Sequence, residues 1–135
     1  PNITVLETQF NDDDANKASA QVNAVVARAP DLAGIFGANL FSAIGSADGV
    51  KAMGKTGEIK VVAFDAPTRI VDDLKSGLVD LAIAQHPAEI GYMGVMVAFG
   101  HVTGNPVPVS VGTGFTVMTA DNIDDPDISK YVYSD

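Results

Sequence analysis

Three polar residues, Asn39, Asp65 and Gln85, each close an apolar run, and they follow one another at intervals of 26 and 20 residues. A carboxylate only accepts hydrogen bonds, whereas the side-chain amides of Asn and Gln both donate and accept. Gathered at one place, such a set suits a ligand bearing several hydroxyl groups. It contains no serine or cysteine. No serine sits in a nucleophile-elbow pattern, and cysteine is absent. His86 and His101 lie far apart in sequence, with no acidic or cysteine partner at metal-ligand spacing. Binding therefore fits these residues better than catalysis, and no metal or cofactor is expected.

Asp65 is the leading candidate. Before it, Val61, Val62, Ala63 and Phe64 form a nearly continuous apolar stretch, as in a strand covered on both faces of a parallel sheet. Pro67 suits the first position of a following helix, where its missing N–H costs nothing. Asn39 holds the corresponding place after the run Leu32 to Ala38. Gln85 holds it after Leu78 to Ala84, with Pro87 opening the next helix. Upstream, Ile3 to Gln9 reads as a first strand, and Asn11 to Asp14 as a loop in which Asp12 or Asp13 caps a helix.

Helical periodicity fills the intervals. Ala18, Val22, Val25, Val26 and Ala29 recur at helical spacing until Pro30 ends the pattern. Ile44, Ala47, Val50 and Met53 do the same within a helix from about Leu40 to Met53, closed by Gly54. A third helix, Pro67 to Ser76, turns Ile70, Val71 and Leu74 inward and stops at Gly77, and a fourth runs from Pro87 to about Val102 before Gly104. Strand and helix thus alternate four times, which predicts an α/β fold with a parallel sheet joined by right-handed crossovers. After Gly104, Val107 to Val111 and Phe115 to Thr119 are short β-like runs, and Ala120 to Asp135 reads as an irregular acidic tail on the surface.

Open α/β sheets bind ligands outside the carboxyl ends of their strands. In a parallel sheet those ends share one edge, so Asn39, Asp65 and Gln85 are expected to converge on one crevice. Asp13, which follows the first strand, is placed within reach of it. Phe10, Phe41 and Phe64 adjoin these positions; Phe10 is a candidate flat apolar face for the ligand, and Phe64 is expected in the core. Asn39 and Asp65 also have the chemistry of helix N-caps, and Gln85 that of a strand-end residue bonded to backbone.

A chain of 135 residues, 47% hydrophobic, has the size of one ordinary domain with a sizeable core. No apolar run approaches the roughly 20 residues that span a bilayer, and nothing at the start resembles a signal peptide. With 17 acids against 8 bases, the net charge of −9 disfavours a nucleic-acid or anionic-membrane surface. A small neutral or cationic ligand fits better. Gly49 to Thr56 spells the phosphate-loop string G-x-x-x-x-G-K-T. A helix precedes it and a strand follows, which is the reverse of what phosphate binding requires. The cluster Asn11 to Asp14 reads as loop and cap rather than as a cation site. Asn2-Ile3-Thr4 spells a glycosylation sequon at the chain end.

IFGAN at 35–39, KVVAFDAP at 60–67, LAIAQHPAEIG at 81–91 and TADNID at 119–124 together resemble the sugar-binding proteins of bacterial ABC importers. More narrowly, they look like the ribose-binding-protein-like family, whose lobes have the type I periplasmic binding fold, a Rossmann-like or flavodoxin-like three-layer sandwich. The resemblance covers nearly the whole chain. It implies two α/β lobes joined by a hinge, with Asn39 and Asp65 as polar contacts of the second lobe and Gln85 as a hinge residue that also touches the sugar. Residues 1–86 would form the second-lobe portion with the crevice, 87–119 a helix of the first lobe and the strands returning through the hinge, and 120–135 the tail. The family's usual acid after Asn39 is Leu40 here, and Asp12 to Asp14 replace an aromatic of the first loop, differences that bear on which sugar is bound.

A complete member is longer, and the part absent here corresponds to the first lobe, with its signal peptide, and the first βα unit of the second. The chain is thus expected to be the carboxyl-terminal portion of a periplasmic solute-binding protein, or of one anchored outside a Gram-positive cell. Its partners would be a monosaccharide or polyol and a membrane permease. An apolar surface left open by an absent lobe would favour self-association. The alternative is the effector-binding domain of a lactose-repressor-type regulator, marked by an upstream helix-turn-helix. A Rossmann-like enzyme would need a Gly-rich turn after the first strand, where Gln9 to Asp13 is acidic instead.

Overall fold

The computed structural model describes residues 3–133, so Asn2 of the sequon and the final residues of the tail lie outside the described residues. Along the chain come α1 (Ala15–Arg28), β1 (Gly34–Gly37), α2 (Leu40–Ala52), β2 (Lys60–Phe64), α3 (Thr68–Lys75), β3 (Leu81–Gln85), α4 (Pro87–Val102), β4 (Phe115–Met118) and α5 (Pro126–Ser129). The sheet has the order β1-β2-β3-β4. Its first three strands are parallel, with α2 and α3 as their crossovers, and β4 returns antiparallel against β3. The expected α/β parallel sheet is therefore present, with one antiparallel edge.

Val61 and Ala63 on β2, with Ala82 and Ala84 on β3, are buried against Ala43, Ala47 and Val50 of α2 and Ile70 and Leu74 of α3. Helix α1 presents Ala18, Val22 and Val26 to α2. The contact is close because α2 offers glycines there. A Cβ at Gly45 would stand 2.2 Å from the Ala15 carbonyl oxygen, and one at Gly49 would stand 2.8 Å from the Val22 Cβ. Asp14, rather than Asp12 or Asp13, caps α1, accepting from the N–H groups of Asn16 and Lys17 at 2.8 and 3.1 Å. The two earlier aspartates instead turn the chain, with φ of 51° and 61°.

Two expected strands do not form. Residues 3–9 form no ladder among the described residues; the segment runs beside α1, where Glu7 pairs with Arg28 and the Phe10 carbonyl accepts from Gln21 Nε2. Val107 to Val111 likewise lacks a ladder. Strand propensity needs a neighbouring strand to be realised, and neither segment pairs with β1 or β4, the outer strands of the sheet. The tail also departs from expectation. Ile123 is buried, and Ile128, Tyr131 and Val132 pack against the core. Helix α4 has no buried residue, and Ile90, Tyr92, Val95, Met96, Phe99 and Val102 are all exposed. Such an all-round apolar helix belongs to an interior.

Candidate functional site

Register brings the leading pair together. β2 and β3 are adjacent and parallel, with Phe64 opposite Ile83, so both strands end at the same edge. The Asp65 N–H extends the pairing by donating to the Ile83 carbonyl at 3.0 Å. Gln85 Nε2 then donates to Asp65 Oδ1 at 2.7 Å. Asp65 takes φ of 76°, a left-handed conformation that costs a non-glycine residue about 1–2 kcal/mol. It does not cap α3, whose N-cap is Pro67. Backbone strain of this kind concentrates at functional positions. Asp65 and Gln85 line an open cavity of about 590 Å³ together with Pro87, Ile90, Gly91 and Tyr133.

Asn39 forms a second pair at the end of β1. Its Oδ1 accepts from the Ser42 N–H at 2.8 Å, capping α2, and its Nδ2 donates to Asp13 Oδ1 at 2.8 Å. Asn11, buried beneath, donates from Nδ2 to the Asp14 carbonyl and accepts from Ser42 Oγ. Both ends of the Asn39 amide are thus engaged, the acceptor by the cap of α2 and the donor by Asp13. The pairs Asn39–Asp13 and Asp65–Gln85 stand at the same sheet edge but do not touch each other. The Phe10 side chain is 77% exposed. Phe64 is half-buried rather than in the core, since it points to the sheet face opposite Val61's neighbours on α2 and α3.

The sequence pattern did not single out Ser42 or Tyr133, and it placed Asn11 only in the acidic loop. Tyr131-Val132-Tyr133 is a run of aromatic and β-branched residues, the one signal that could have drawn attention to that segment. The phosphate-loop string lies where a helix ends and a strand begins: Gly54 closes α2 with φ of 67°, and Lys55 pairs with Glu58 at 2.6 Å.

Three parallel strands joined by helical crossovers, with one antiparallel edge strand, define an open α/β lobe. Residues 1–106 match the family described as periplasmic binding protein domain, and the chain belongs to that family. Among its relatives is the D-allose-binding periplasmic protein of Escherichia coli, 29% identical over 86% of this chain and 38% of the relative. A solved ABC transporter solute-binding protein from Agrobacterium vitis, bound with alpha-D-tagatopyranose, is 63% identical with a TM-score of 0.91, covering 98% of this chain and 44% of that one. A second from the same organism, with bound D-fucose, is 29% identical with a TM-score of 0.84, covering 95% and 44%. The chain thus spans about two fifths of the length of the relatives it matches.

Proposed function

We propose that this chain is the carboxyl-terminal portion of a sugar-binding subunit of a bacterial ABC importer, working in the periplasm or outside the cell and delivering a monosaccharide or polyol to a membrane permease. The observation that carries the reading is the Asp65–Gln85 pair lining an open cavity at the carboxyl ends of adjacent parallel strands. Asp65 accepts from adjacent sugar hydroxyls, Asn39 and Asp13 serve the other end of the crevice, and Phe10 offers an apolar face. The remainder of the protein supplies the facing lobe. Its core would cover the exposed apolar residues of α4, and ligand held between the lobes would stabilise a closed form. A site built from hydrogen bonds rejects analogues that lack the matching hydroxyl, which provides specificity without catalysis.

Calorimetric titration of the complete protein with pentoses, hexoses and polyols tests this reading. D-tagatose heads the panel, because it is the sugar held by the 63% identical protein. One sugar is expected to bind tightly, and Asp65→Ala to lose about 2 kcal/mol or more, as for removal of a charged hydrogen-bond partner. Absence of binding to every sugar would refute the reading.

A further inference from the structure

The carboxyl-terminal segment ends beside the candidate crevice, and its contacts are specific. The Tyr131 ring stacks on His86 with centroids 3.7 Å apart and planes 9° from parallel. Two residues on, Tyr133 forms a parallel bridge with Pro67, its N–H donating to the Ala66 carbonyl at 3.4 Å. The two tyrosines thus hold two neighbouring strand ends, Tyr131 at His86 after β3 and Tyr133 at Ala66 after β2. Each grip falls next to one of the two polar residues of the cavity: Ala66 follows Asp65, and His86 follows Gln85.

His86 is itself fixed from other directions. Its Nε2 lies 2.8 Å from Thr116 Oγ1 on β4, and its Nδ1 lies 3.2 Å from Glu89 Oε2. The same carboxylate oxygen accepts from the Gly114 N–H at 3.2 Å. A Cβ at Gly114 would come within 2.4 Å of His86 Nδ1, so a glycine leaves room for the ring there. The end of β3, the approach to β4 and the tail therefore meet at one imidazole. The tail is anchored by Ile128, Tyr131 and Val132 against the core.

From these contacts we infer that residues 129–133 form a clasp that holds the Asp65–Gln85 wall of the crevice in its binding geometry, with Tyr131 as the positioning residue. Left-handed backbone at Asp65 persists only where its surroundings over-determine it, and the Tyr133 bridge to the next two residues is one such restraint. Tyr131 acts through His86 on the strand end that carries Gln85. The inference rests on the sugar-binding reading for its consequence in affinity, and on the fold alone for its consequence in dynamics.

Hydrogen exchange and titration of the complete protein, carrying Tyr131→Leu or Tyr131→Phe, test both consequences. Leucine keeps apolar volume without the ring, whereas phenylalanine keeps the stack. The Leu variant is expected to exchange about tenfold faster over residues 64–67 and 83–86, with α1 and α2 unchanged, and to bind the parent's sugar about tenfold more weakly, the scale of a lost aromatic pair. The Phe variant should match the parent in both. Unchanged exchange in those two segments, an equal rise throughout the chain, or parental affinity in the Leu variant overturns the clasp. If the parent binds no sugar, the functional reading falls, and exchange still decides the clasp.

Discussion

Gln85 Nε2 and Asp65 Oδ1 meet at 2.7 Å across the ends of the two central strands. The amide of Gln85 leaves its carbonyl oxygen as an acceptor, and Asp65 keeps further lone pairs for a ligand. Replacing the donor by a carboxylate converts this contact into a clash of like charges. In the complete protein Gln85→Glu should weaken sugar binding about tenfold or more at pH 7. Two carboxylates this close share a proton, and the shared proton restores a donor. Affinity of the variant should therefore recover as pH falls from about 7 to about 5, while the parent changes little. Titration at both pH values checks this.

The conformation of Asp65 separates stability from binding. Its φ of 76° suits glycine. Asp65→Gly should melt at a higher temperature than Asp65→Ala, by an amount corresponding to about 1 kcal/mol. Both variants should lose sugar affinity alike, because both lack the carboxylate. Thermal denaturation followed by circular dichroism, beside calorimetry, distinguishes the two effects.

Close packing of α1 on α2 predicts a large effect from a small change. A methyl at Gly45 would meet both the Ala15 carbonyl oxygen at 2.2 Å and the Ala18 Cβ at 2.6 Å, and backbone cannot yield as a side-chain end can. Gly45→Ala should destabilise the protein by about 1–3 kcal/mol despite alanine's better helix propensity. Lys51→Ala, exposed on the same helix, should change stability by no more than about 0.5 kcal/mol. Urea unfolding of the pair makes the comparison.

Asp73 carries a pH dependence. Burial pushes its carboxyl above the usual 3.8, although the Arg69 guanidinium donates to it from Nε at 2.8 Å and pulls the other way. A raised folded pKa means that its contribution to stability is full below the unfolded value and is lost as pH rises through the folded one. Asp73→Asn keeps an acceptor for Arg69 without the charge. Relative to the parent, its melting temperature should rise between about pH 4 and about pH 7.

Asn39 serves two structures at once, and its replacements should divide them. Asn39→Ala removes the cap of α2 and should cost about 1 kcal/mol. Asn39→Asp keeps an oxygen for the Ser42 N–H but sets a second carboxylate against Asp13, 2.8 Å away in the parent. The Asp variant should thus melt closer to the parent than the Ala variant does at low pH, where the carboxylates are protonated, and lose that advantage at neutral pH. Melting curves at both pH values provide the check.

Helix periodicity in this chain was legible because the stripes are local. Ala18, Val22 and Val26 on α1, and Ile70 and Leu74 on α3, repeat every three or four residues, and those residues are buried. The strand ends at Asn39, Asp65 and Gln85 could be read for the same reason: an apolar run that stops at a polar residue and then a helix start is a local pattern. That all three fall at one edge of the sheet followed from parallel topology, itself a consequence of βα alternation, although only Asp65 and Gln85 of the three line the cavity. Ile3 to Gln9 and Val107 to Val111 have the composition of strands, yet they are not strands, since pairing depends on what lies beside them.

Residue order in this protein was thus sufficient for the helices, the parallel sheet and the three polar strand ends, because periodicity and chain stops are properties of neighbours in sequence. It could not show that Gln85 bonds to Asp65 while Asn39 bonds to Asp13, since partner choice among donors and acceptors depends on strand register and on loops that turn through positive φ at Asp12 and Asp13. Nor could it show Tyr131 on His86, a contact between residues 45 positions apart. Such long-range contacts depend on how the folded lobe packs its last segment.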